Sequence, residues 1–266
     1  MNNASAKGLA ILSGSPQAEK SILGCGLAVR LAERGVRVLY IDLYFSQEES
    51  CFSGVHRRDL HAVTTLDKEF VQLVSTGDSG FDIIRCCLTI DSGISEKTLK
   101  SITDCIGDSS TQYESIVISA PCGINPLAML VAGMCEEIIL TIDPEASSVA
   151  SAYCLLKTLA AEGMSGRIIT AFLNVDSSEQ ANSLKKKFDH LTNEFLDLNL
   201  GDGGHVRFQQ ENDDKEFIAN DRIGWAREYV KNIRFEGLRM FQTETKKKSL
   251  AGIYPSQDEP GRYKTG

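Results

Sequence analysis

The chain has 266 residues, 42% of them hydrophobic and 24% charged, with a net charge of −8. That length builds one large domain, or one domain with an appendage. The acidic balance excludes a dedicated nucleic-acid binder, whose domain is basic, so no specific nucleic acid is expected as a partner. No apolar run approaches the ~20 residues of a membrane span, and Met1 to Gly8 lacks the apolar segment of a secretory signal. The eight cysteines are scattered without a C-x-x-C pair. They read as reduced, small hydrophobes of a cytoplasmic protein, not as zinc ligands.

In chain order, Gly8 to Leu12 reads as a buried strand, and a loop follows from Ser13 to Glu19. Lys20 to Glu33 is predicted helical from the four-residue spacing of Leu23, Leu27 and Leu31, with Gly35 as the C-cap glycine. Val36 to Ile41 is a second strand, closed by Asp42. Residues 44–54 read as a surface loop, 66–74 as a short helix and 81–84 as a strand. Ser95 to Ile106 reads as an amphipathic helix with Leu99, Ile102 and Ile106 on one face. Ser115 to Ser119 is a strand, and a helix is expected over Ala128 to Cys135. Glu137 to Ile142 is a strand, and Asp143-Pro144-Glu145 is a turn opening a helix from Ser147 to Ala161. Arg167 to Leu173 is a strand ending at Asn174, and Glu179 to Phe195 is a helix. Gly201 to Gly204 reads as a turn and Val206 to Gln209 as an edge strand. The expected layout is a P-loop-like domain over 1–220, a C-terminal helix within 221–245 and a polar tail over 246–266. The alternation of strands and helices predicts a mostly parallel, doubly wound α/β sheet with helices on both faces.

The stretch Ile11 to Ile22 carries the chemistry. A full phosphate-binding loop reads G-x-x-x-x-G-K-[ST]: backbone N–H groups cradle phosphates, the Lys pairs with them, and the hydroxyl holds Mg²⁺. Gly14, Lys20 and Ser21 stand in that register, but Glu19 replaces the second Gly. Elsewhere the bland readings hold. Cys122 reads as a buried, inert thiol, and Asp143 as a turn residue. His56, His61, His190 and His205 show no ligand spacing, and no serine has a readable His base.

The order strand, P-loop, helix, strand-Asp42, Pro121-x-Gly123, Asp143-Pro144-Glu145 and strand-Asn174 resembles the MinD/ParA family of deviant-Walker ATPases. Ile138 to Lys157, with its Pro-Glu-x-x-Ser and Ala-Tyr-x-x-x-Lys pattern, is the most specific piece. Together with Asn193 to Leu196 and Leu200-Gly201 it is similar to the FlhG type, which regulates flagellar number and placement. The resemblance covers roughly residues 8–201. It implies ATP or ADP with Mg²⁺ as ligands, held by Gly14, Lys20, Ser21, Asp42 and Asn174, with Ser21 on the metal and Asn174 at the adenine.

Several positions depart from the family pattern. Ser15 stands where the family's first loop Lys reaches across a dimer, and Pro16, Gln17 and Glu19 replace glycines. The carboxylate that orients the attacking water falls on Tyr44. The Asp that supports Mg²⁺ through its water shell falls on Ser119. Losing one oriented electrostatic group commonly costs about 10²–10³ in rate, and phosphoryl transfer is mostly such positioning. A Glu19 carboxylate about 4 Å from a phosphate charge is repelled by roughly 4 kcal/mol at an effective dielectric near 20. The resemblance therefore implies no catalytic residue here, and a non-hydrolysing regulator of flagellar number or polar placement that acts through flagellar or polar assembly proteins. One alternative keeps the family's ATP-dependent homodimer switch; another places the chain in a polysaccharide or pilus secretion system. The FlhG-type activator segment before the first strand is expected to be missing. Residues 222–241, where Arg222, Arg227 and Lys231 interleave with Trp225 and Tyr229, are expected to pack on the domain. Peripheral contact with the inner face of the membrane is the competing expectation for them.

Overall fold

The computed structural model describes residues 6–16, 20–43, 58–59, 75–76, 80–87, 96–164 and 166–205. Tyr44, Gln17, Glu19, the expected segments at 44–54, 66–74 and 206–209, and everything expected of 221–266 lie outside them. The described chain runs β1 (Lys7–Ser13), α1 (Lys20–Ala32), β2 (Val38–Asp42), β3 (Arg58–Asp59), β4 (Ser75–Thr76) and β5 (Asp82–Cys87). It continues with α2 (Glu96–Ser109), β6 (Ser115–Ser119), α3 (Pro126–Met134), β7 (Glu137–Ile142) and α4 (Ala146–Ala161). β8 (Arg167–Phe172), α5 (Ser178–Leu196) and β9 (Gly201–His205) complete it.

The strands form one sheet in the order β3-β5-β2-β6-β1-β7-β8-β9, with β4 paired to β5 off that path. Every pairing is parallel except the short β4–β5 contact. A parallel sheet is covered on both faces, so its central strands are continuous apolar runs. β1 shows this: Leu9 through Leu12 are all buried. Alternate residues then serve opposite faces. Leu9, Ile11, Tyr40, Val117 and Ile139 pack with Leu23, Leu27 and Leu31 of α1. Ala10, Leu12, Ile41, Ile118 and Leu140 pack beneath α2, α3, α4 and α5 through Leu99, Leu127, Leu155 and Phe188. The doubly wound α/β architecture read from the sequence is the one found.

Local chemistry sets the element ends. α3 starts at Pro126, two residues before the expected start. Its first turn holds the helix-compatible Pro126, and the Asn125 side chain accepts a 2.9 Å bond from the Ala128 N–H. Ser177 caps α5 in the same way through the Gln180 N–H at 3.2 Å. The expected turn at Gly201 to Gly204 is corrected: Gly201–His205 is strand β9, parallel to β8. The glycines serve close approach there. A Cβ on Gly203 would lie 2.8 Å from the Thr170 carbonyl oxygen, and one on Gly201 would lie 3.1 Å from Ile169.

Candidate functional site

The connection from β1 leads to β2 on one side of it, and the connection from β7 leads to β8 on the other. Open α/β sheets bind ligands outside the carboxyl ends of their strands, at such a reversal. Five strand ends converge there. Ser119 of β6 is in register with Asp42 of β2 and Ile11 of β1, and Ser13 of β1 is in register with Thr141 of β7. Gly14, Lys20, Ser21, Asp42 and Ser119, chosen from the sequence, therefore lie at one end of the sheet. Asn174, just beyond β8, joins them through Asp143.

The loop after β1 is closed on itself. The Ser15 N–H donates to the Ser13 hydroxyl at 3.0 Å, and that hydroxyl donates to the Ser15 carbonyl at 2.6 Å. The Gly123 N–H, from the loop after β6, reaches the Ser13 carbonyl at 2.8 Å. Gly14 is pressed against α4: a Cβ there would sit 2.3 Å from the Ser151 carbonyl carbon. Only glycine permits that approach.

Lys20, the first residue of α1, is 1% exposed. Burial pushes its ammonium below the usual lysine range, and Cys122, Asp42 and Asp143 pull in the opposite direction. The Ser21 hydroxyl donates to Asp42 Oδ1 at 3.2 Å, and the Tyr40 hydroxyl holds the Ser21 carbonyl at 3.2 Å. Asp42 is buried. Across the site, the Asn174 side-chain amide donates to Asp143 Oδ1 at 2.8 Å, and the Asp143 N–H donates to the Ser148 hydroxyl at 3.1 Å. Asp143 is 1% exposed, and its Oδ2 has no hydrogen-bond partner among the described residues. Burial raises its pKa above the usual carboxylate range. The Asn174 bond opposes that shift, nearby Glu145 adds to it, and Lys20 and Ser148 oppose it. Ser119 is fully buried, and its hydroxyl also lacks a partner among the described residues.

A phosphate cradle needs backbone N–H groups turned outward and a cation able to answer the ligand's charge. The Ser15 N–H is turned into its own loop and Pro16 has none, while Lys20 already faces two carboxylates. Among the described residues, Ser15 and Pro16 thus offer no backbone donor to a phosphate; Gln17 to Glu19 lie outside them. Cys122 is half-buried rather than buried as expected, and Cys25, Cys105 and Cys135 are the buried thiols among the described free cysteines. Asp143 does lie in the connection between β7 and α4, as read from the sequence; its burial beside Lys20 is what that reading did not contain. A carboxylate before Pro144 reads as a turn, and its signal was position: it ends the strand beside β1.

No protein-family model matches the chain. Antiactivator FleN of Pseudomonas aeruginosa is 21% identical over 206 residues, covering 76% of this chain and 74% of that protein. A plasmid partition protein of Borrelia burgdorferi bound to AMPPNP superposes with a TM-score of 0.63 at 17% identity, over 88% of this chain and 100% of that one. The MinC:MinD cell division complex of Aquifex aeolicus gives 0.61 at 15% identity, over 92% of this chain and 100% of that one. The chain has the MinD/ParA P-loop fold. In that fold the strand order puts Ser119 between the ends of β1 and β2, and Lys20 and Ser21 open the helix after the loop, as their register in the sequence implied. No helix among the described residues is long and apolar enough to cross a membrane.

Proposed function

We propose that this chain is a non-hydrolysing regulator of MinD/ParA fold that works in the cytoplasm by binding protein partners, in control of flagellar number or polar placement. One observation carries the loss of hydrolysis. At the carboxyl end of β6, where the resembled family keeps an acid to support Mg²⁺, the fully buried Ser119 presents a neutral hydroxyl. Mg²⁺ is a hard cation that relies on anionic oxygens and an ordered water shell. A serine supplies neither the charge nor the reach. Ser15, in place of the cross-dimer cation, and the inward-turned loop N–H point the same way. Similarity to an antiactivator supports the regulatory half of the reading.

The test is phosphate release from Mg-ATP by the purified chain beside Lys20→Ala. Equal, background rates are expected; a wild type that clearly outpaces the variant overturns the proposal. The retained Lys20 and the Ser21–Asp42 hydrogen bond favour one rival, an ATP-driven monomer–dimer switch. Light scattering at matched concentrations separates the two, because the switch requires the mass to double with Mg-ATP, and the proposal requires it to stay constant.

A further inference from the structure

The buried charges at the end of the sheet are unevenly matched. Lys20 and Asp42 alone would balance. Asp143 adds a second carboxylate within electrostatic reach of the same ammonium, so that among the described residues the carboxylates outnumber it by one. This carboxylate is not incidental surface charge. It is 1% exposed, its Oδ1 is fixed by Asn174 at 2.8 Å, its N–H is fixed by Ser148 at 3.1 Å, and its Oδ2 has no hydrogen-bond partner among the described residues. A buried carboxylate oxygen left without a donor is costly. It persists here just beyond the carboxyl end of β7, the strand beside β1.

We propose that Asp143 is a built-in anion that takes the electrostatic place of a phosphate at this loop. Held by Asn174 and the N-terminal turn of α4, it answers the Lys20 charge from inside the fold and repels any phosphate arriving from outside. The inference deepens the non-hydrolysing reading and rests on it: it assigns the weak phosphate affinity of the site to one residue. Two elements of that affinity separate cleanly. Ser119 concerns the metal, whereas Asp143 concerns the anion.

Asp143→Asn tests this with little change of shape. The amide keeps an oxygen to accept from Asn174 and puts an N–H donor where Oδ2 stands alone. Calorimetric titration of the full chain with Mg-ATP should give a Kd at least about tenfold lower for Asp143→Asn than for wild type, the scale expected when one like charge leaves a part-buried site. Asp143→Thr, which also removes the charge, should gain affinity in the same direction and covers the case in which the amide variant fails to fold. Glu145→Gln removes an exposed carboxylate two residues away and should leave Kd unchanged. Equal affinity of wild type and both neutral variants, including the absence of binding in all three, overturns the inference, as does an equal gain from Glu145→Gln. Phosphate release is followed in the same samples. Turnover by wild type would overturn the non-hydrolysing reading, whereas the ratio of Kd values decides the role of Asp143 on its own.

Discussion

Asn174 does two jobs with one side chain. Its backbone is left-handed, with φ 57°, and its amide holds Asp143. A left-handed residue with a Cβ costs roughly 1–2 kcal/mol, and Asn bears it better than most because its short amide bonds locally. A hydrogen bond to a charged group contributes about 1.5–3 kcal/mol. Asn174→Ala loses the bond and keeps the strain, so urea denaturation should show a loss of about 3 kcal/mol. Asn174→Gly loses the same bond but relaxes the backbone, and should lie about 1 kcal/mol above the alanine variant. The order of the two variants is the diagnostic result; a reversed order would mean that glycine's extra freedom in the unfolded chain outweighs the relief of left-handed strain. At this scale the sequence was readable where a residue's chemistry is unusual for its place: Lys20 and Ser21 opening a helix, Asp42 closing a strand. It was unreadable for Asp143. A single residue between a strand and a proline has the same local signature whether it faces water or a buried lysine, and the difference is made by β1, about 130 positions earlier in the chain.

The elements meet most tightly where the loop after β1 lies on α4. Gly14 has the backbone of Ser151 and Ala152 where its Cβ would go, at 2.3–2.5 Å. Backbone does not swing aside as a side-chain tip does. Gly14→Ala should therefore cost about 3 kcal/mol, at the upper end of overpacking penalties. Thermal or urea unfolding measures it, and a loss under 1 kcal/mol would show that the loop lifts off α4 easily. The same physics explains what the sequence told about elements and what it withheld. Apolar runs such as Ile138 to Leu140, resumed at Ile142 after Thr141, declare buried strands, because a stretch so short between turns is too brief for a core helix. Gly201-Asp-Gly-Gly204 is ambiguous by nature. Glycine permits both a tight turn and the close approach of two backbones. Which one applies depends on Ile169 and Thr170 in the neighbouring strand, and no local pattern contains that information.

At the scale of the whole molecule, protection should fall from the middle of the sheet outward. β6, β1 and β7 each have a strand on both sides and helices above and below, whereas among the described residues β9 pairs with β8 alone. Native-state hydrogen exchange should find the slowest amides at Leu9 to Leu12, Ile116 to Ile118 and Ile138 to Leu140, and the fastest strand amides in β9. Uniform protection across the sheet would contradict this ordering. The central position of β1 also has a consequence in time. β1 has no sequence neighbour beside it in the sheet, since it pairs with β6 and β7. Lys7 pairs with Ser115, 108 residues later (115 − 7), so at ordinary synthesis rates it waits roughly 5–20 s for its first partner. β2 and β5 can pair with each other well before that, as can α1 with β2. Throughout that interval Leu9 to Leu12 lack both sheet neighbours, and α1, next in the chain, is the element that can cover Leu9 and Ile11 first.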